Sequence, residues 1–154
     1  MNGLGVGIAT AGGLGYAPLA PGTFGSAAGV LIFWLTADWP LAAQLALIAV
    51  VTLAGIWASE VGIRHFGRTD PSQVVIDEVA GQLVTFIGVA AIGWQAALLG
   101  FLLFRGFDII KPWPVNRLEA LHGGLGIMAD DLMAGLYACA VLQGVLWMAP
   151  GFLG

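Results

Sequence analysis

Residues 79–104 read VAGQLVTFIGVAAIGWQAALLGFLLF, a run with no charged side chain. A stretch of this length and apolarity belongs in a bilayer. Its flanks decide how it lies there. Asp77 and Glu78 precede it, Arg105 and Asp108 follow it, and Gly93-Trp94 falls in its middle. One long helix would put the two flanks on opposite membrane faces. A helical hairpin turning at Gly93-Trp94 would put them on the same face. Basic loop residues mark the cytoplasmic side of a membrane protein. Residues 64–72 and 105–131 both carry basic side chains, whereas the 38–40 turn carries none. If both basic regions are cytoplasmic, an even number of crossings separates them, and 79–104 is the hairpin. Its arms, about 14 and 10 uncharged residues, are short for a full crossing and extend into the charged flanks or re-enter partway.

Working outward, 1–37 is uncharged, with its apolar part from Phe24 to Ala37, and Leu41 to Ser59 is the cleanest span. Asp38-Trp39-Pro40 joins these two as a tight turn, with Pro40 able to open the second helix. Thr69-Asp70-Pro71-Ser72-Gln73 has the form of a helix start: Asp70 as N-cap, Pro71 first in the helix and Gln73 closing a capping box. That would set Asp77 and Glu78 in the second turn. Leu132 to Gly154 is the last apolar stretch. The expected fold is all-α and polytopic, one membrane-embedded domain over 1–154. It has about five membrane-embedded helices, a cytoplasmic N-terminus and an external C-terminus.

Composition agrees. Of the 154 residues, 59% are hydrophobic and 9% charged, against about 45–50% and about 25% in soluble domains. A chain this short has too little interior to hide that much apolar surface. The five basic residues, Arg64, Arg68, Arg105, Lys111 and Arg117, are too sparse for a nucleic-acid footprint. The lone Cys139 rules out a disulfide framework or a Cys-based metal site within one chain. Trp34, Trp39, Trp94, Trp113 and Trp147 fall near segment ends, as interfacial anchors do.

The chemistry lies in the acids. Asp70, Asp77, Glu78, Asp108, Asp130 and Asp131 all sit where apolar segments meet polar ones. Ionised groups at membrane depth cost several kcal/mol unless paired, hydrated or metal-bound. Six acids against three nearby bases invite a cation, and all-oxygen ligands suit Mg²⁺. Capping and interfacial solvation account for Asp70 and for Asp130, but less well for the adjacent pairs Asp77-Glu78 and Asp130-Asp131. Arg105, Asp108 and Lys111 recur at helical spacing before the Pro112-Trp113-Pro114 break, forming either a phosphate-binding face or an ion-pair ladder. Residues 20–26 (APGTFGS) place Thr23 and Ser26 where a glycine-rich loop would offer N–H groups to an anion at a helix start. His65 has the setting of a surface residue. His122 either shapes the 123–126 glycine loop or assists proton transfer.

Taken together, residues 20–26, Asp70 with 75–81 (VIDEVAG), 104–114 (FRGFDIIKPWP), and 122–131 (HGGLGIMADD) with Ala134-Gly135 resemble the phosphatidylglycerophosphatase A family. The resemblance implies a Mg²⁺-dependent lipid phosphatase in the inner (plasma) membrane of a bacterial-type cell, multi-pass, with its active site facing the cytoplasm. It would convert phosphatidylglycerol phosphate to phosphatidylglycerol and phosphate in phospholipid biosynthesis. Asp77, Glu78, Asp108, Asp130 and Asp131 would be catalytic, with Asp77, Glu78 and Asp131 holding the metal. Arg105, Lys111, Thr23, Ser26 and His122 would bind substrate. Either water, with Asp108 or Asp130 as general base, or a carboxylate would be the nucleophile. The rival reading is a small membrane transporter or channel subunit using interfacial carboxylates for cations. Its acids would be expected along the span centres.

Overall fold

The computed structural model describes residues 2–90 and 92–151. Among these, the regular structure is entirely helical. Helix α1 (Gly3–Ala9) and a 3₁₀ turn (Leu14–Tyr16) lead into α2 (Pro21–Thr36) and α3 (Leu41–Phe66). Then come α4 (Ile76–Thr85), α5 (Trp94–Ile110), the single turn α6 (Val115–Leu118) and α7 (Gly123–Met148).

Residues 79–104 do not form one helix. The chain breaks after Thr85 and resumes at Trp94, with Gly93 as the extended N-cap of α5. Glycine at 88 takes a positive φ of 71° in the connection. Gln143 of α7 donates its side-chain N–H to the Ile87 carbonyl at 2.9 Å, so the turn has its own polar support. The arms differ in kind. Helix α5 has 17 residues, while α4 has ten and buries nine of them. At 1.5 Å per residue α4 spans only about 15 Å. It is enclosed by α2, α3, α5 and α7.

Three local expectations are corrected. The capping box at 70–73 does not form. The Val74 N–H is donated to the Pro71 carbonyl at 3.0 Å, closing a turn, and the Val75 N–H is donated to the Ala9 carbonyl at 2.8 Å. The bond to α1 holds Val75 outside the helix, so α4 starts at Ile76 and Asp77 and Glu78 occupy its first turn. Likewise, 20–26 is not a loop. Pro21 is already the first helical residue of α2, after Ala20 in the left-handed region at φ 46°. Pro40 is the N-cap of α3 instead of its first residue.

Helices α3 and α7, with 26 residues each, are long and apolar enough to cross a membrane. Helices α2 and α5, with 16 and 17 residues, are shorter; each spans about 24–26 Å, against a hydrocarbon core near 30 Å. Five full crossings are therefore not evident from helix length. The outer surface is nonetheless apolar. Leu45, Val50, Leu53 and Trp57 of α3 are exposed, as are Leu98 and Leu102 of α5 and Leu136 and Val141 of α7. Trp34, Trp39, Trp94, Trp113 and Trp147 are exposed as well. So much uncovered apolar surface is a membrane-facing feature, and the protein is membrane-associated.

Candidate active site

The packing brings the ends of five helices together. Gly22 of α2 abuts Glu78 of α4, and Gly29 abuts Gln82, so these helices run parallel. Gly81 of α4 abuts the Asp131 carbonyl and Gly135 of α7 abuts Val84, which makes α7 parallel to α4 as well. The N-termini of α2, α4 and α7 therefore converge, together with the C-termini of α3 and α5. Three helix N-termini present about half a positive charge each. They face a cavity of roughly 880 Å³.

Asp77, Glu78, Asp108, Asp130, Asp131, Arg105, Lys111 and His122 all line this cavity. Asp77 and Asp131 are 8% and 3% exposed. One oxygen from each of Asp77, Glu78 and Asp131 comes within 4.8 Å of the others. Asp77 Oδ1, Glu78 Oε2 and Asp131 Oδ2 are buried and accept no hydrogen bond. Buried carboxylate oxygens without donors are costly. With one oxygen of each acid within 4.8 Å of the others, the three carboxylates form a donor set that fits a hard cation. These acids could hold a metal ion.

Two cations flank the cluster. Arg105 donates to Asp108 Oδ2 at 2.5 Å and stands 3.9 Å from Glu78 Oε1. The Cβ that Gly22 lacks would lie against Glu78 Oε1 and Arg105 Nη1, so α2 leaves room for this pair only because residue 22 is glycine. Lys111 does not continue the helical face of Arg105 and Asp108. It is the C-cap of α5 at φ 49°, and its ammonium turns to Asp130 Oδ2 at 2.7 Å and Glu119 Oε1 at 2.6 Å. Burial works to lower the Lys111 pKa, but the bonds to Asp130 and Glu119 outweigh it and hold it above the ordinary lysine value. His122 is exposed at the rim, as the N-cap residue of α7.

Thr23 and Ser26 do not line the cavity. Ser26 is fully buried and its Oγ has no partner. The glycines around them serve the α2–α4 contact instead. His65 is exposed and packs edge-on against Phe66, away from the cavity. Cys139 is half-buried, with its Sγ 3.8 Å from the Ile87 carbonyl.

Two lining acids escaped the sequence reading. Glu60, from the end of α3, accepts the Gly124 N–H at 3.0 Å and so caps α7 from another helix. Its position just after an apolar span was the available signal. Glu119, which shares Lys111, carried none beyond its charge.

The family model of phosphatidylglycerophosphatase A matches residues 7–146, which contain every one of these side chains. The chain belongs to the phosphatidylglycerophosphatase A family. It is similar to phosphatidylglycerophosphatase A of Escherichia coli, 31% identical over 84% of this chain and 76% of that one. The Haemophilus influenzae protein of the same name is 35% identical over 84% and 81% of the two chains. A protein of Bacteroides thetaiotaomicron named putative phosphatidylinositol-3-phosphatase is 37% identical over 92% of each. No solved structure matches the chain. As a member of the phosphatidylglycerophosphatase A family the chain is a phosphatase, and the acid cluster with its two cations is the candidate active site.

Proposed function

We propose that the protein hydrolyses phosphatidylglycerol phosphate to phosphatidylglycerol and inorganic phosphate, using Mg²⁺ held by Asp77, Glu78 and Asp131, as the last step in making that lipid. The observation that carries this reading is the set of three unpartnered, buried carboxylate oxygens beside two cations in one cavity. When bound, Mg²⁺ would neutralise charge on the phosphoryl oxygens, the main catalytic need of phosphoryl transfer.

Arg105 and Lys111 bind the remaining phosphoryl oxygens, the first with a planar fork and the second as a point charge. Asp108 or Asp130 orients the attacking water and accepts its proton as the new P–O bond forms. The bond to the lipid oxygen breaks, and that oxygen takes up a proton as phosphatidylglycerol leaves. His122 contacts the head group at the cavity rim. The 64–72 and 105–131 segments face the cytoplasm, and the chain crosses the inner membrane several times, with α4 as a buried half-helix. Clustering of the acids at one end of the bundle favours an enzyme over a transporter, whose acids would follow a path through the span centres.

The Bacteroides relative's name describes a different lipid substrate, so the test is a panel. Purified protein in mixed micelles is given phosphatidylglycerol phosphate and phosphatidylinositol 3-phosphate, and released phosphate is measured. Preference for phosphatidylglycerol phosphate is expected, with Asp77→Asn lowering turnover at least a hundredfold while the fold is kept. Preference for the inositol lipid would reassign the substrate, and full activity of Asp77→Asn would remove that residue from the site.

A further inference from the structure

Lys111 is held by two carboxylates of unequal standing. Asp130 belongs to the long helix α7, and its side chain is 9% exposed. Its other oxygen accepts the Asp131 N–H at 3.0 Å, which fixes it in place. Glu119 is the C-cap of the four-residue α6, and its side chain is 50% exposed. It contacts the ammonium at 2.6 Å from the solvent side of the cavity. Asp130 and Glu119 take two of the three N–H directions of the ammonium, so a phosphate reaching Lys111 finds one free direction and meets the negative charge of Glu119 beside it. Asp130 is anchored at both oxygens, whereas Glu119 can swing into water at little cost.

We propose that Glu119 is an internal competitor for phosphate: it occupies Lys111 in the free enzyme, yields to the substrate phosphoryl group, and returns as inorganic phosphate departs. This rests on the reading above only in that Lys111 meets the substrate phosphate. Glu119 is then a positioning residue acting through Lys111, and its effect falls on ground-state affinity and product release. It weakens phosphate binding in the resting state, which guards the enzyme against capture by its own product.

The test uses full-length protein in detergent with Mg²⁺. Glu119→Gln removes the competing charge, and Glu119→Asp retains it. Exposed ion pairs of this kind are worth enough to change affinity roughly two- to fivefold. Glu119→Gln is expected to lower KM for phosphatidylglycerol phosphate and the inhibition constant of inorganic phosphate by about that factor, without raising kcat. Glu119→Asp is expected to stay near wild type. In a Lys111→Gln background, Glu119→Gln is expected to leave the phosphate-induced rise in melting temperature unchanged, because no ammonium remains to compete for. An unchanged or raised KM in Glu119→Gln would overturn the proposal. So would an equal gain in phosphate affinity without Lys111, which would mark a general charge effect. Tighter inorganic phosphate binding in a protein that hydrolyses no lipid phosphate would sink the substrate reading and leave this inference standing.

Discussion

Lys111 is the only lysine in the chain, and Asp130 and Glu119 share it. Because its pKa is higher folded than unfolded, its stabilising contribution is fully present below the unfolded value, near 10.4. It is lost as pH rises through the folded value. The melting temperature of wild type is therefore expected to fall more steeply between about pH 10 and about pH 12 than that of Lys111→Met. Equal slopes, measured by thermal unfolding in detergent, would contradict the ion pairing. The same residue illustrates what sequence can convey at this scale. The types and boundary positions of Asp77, Glu78, Asp108, Asp130, Asp131, Arg105 and Lys111 singled them out as candidates, since charge at membrane depth is costly, and all of them line the cavity. Their partners were not legible. Glu60 meets Gly124 across 64 positions of chain, and Lys111 leaves the helical register to reach Asp130. Thr23 and Ser26 were misplaced because a glycine-rich stretch looks the same whether it frees a loop or lets two helices touch.

At the level of elements, convergence of three helix N-termini on the cavity explains how five acids can share one end of an apolar bundle. The partial positive charge of the three N-termini exceeds the partial negative charge of the two C-termini beside them, and the surplus adds to the charge of Arg105 and Lys111. The contact that sets this convergence is tight. A Cβ on Gly135 would run into the backbone carbonyl of Gly81, which cannot move without its helix. Gly135→Ala is expected to force α4 and α7 apart and destabilise the protein by about 1–3 kcal/mol. Activity should fall too, because Asp131 lies one turn away and Asp77 on the opposing helix. Gly144→Ala, on the same α7 but with open space around it, is expected to be neutral or mildly stabilising. Thermal melts and turnover of the two variants check this; similar behaviour of both would contradict it. The break within 79–104 could be read from charge and from Gly93-Trp94. The start of α4 could not, since the hydrogen bond from Val75 to Ala9 is long-range and overrides the local capping signal. The short α1 was also invisible, a glycine-rich heptad with no amphipathic pattern.

The whole molecule presents apolar surface outward and gathers its charged side chains, Asp38 apart, at one end. Composition conveyed that much directly, because no fold of 154 residues at 59% hydrophobic content could bury it. The number of crossings was less accessible, as α2, α4 and α5 are all shorter than the two helices long and apolar enough to cross. If the acid-bearing end faces the cytoplasm, Thr69→Cys and Arg117→Cys in a Cys139→Ser background should both react with a membrane-impermeant thiol reagent from that side. Asp38→Cys should react only from the other. Protection of either of the first two would reject this topology. In the function proposed above, this charged end removes phosphate from a lipid with the help of a divalent cation at Asp77, Glu78 and Asp131. The most direct test is phosphate release from phosphatidylglycerol phosphate by the purified protein, before and after treatment with a chelator. Release is expected to stop on chelation and to return with added Mg²⁺; release that is absent throughout, or that continues undiminished in chelator, would contradict a cation-dependent lipid phosphatase.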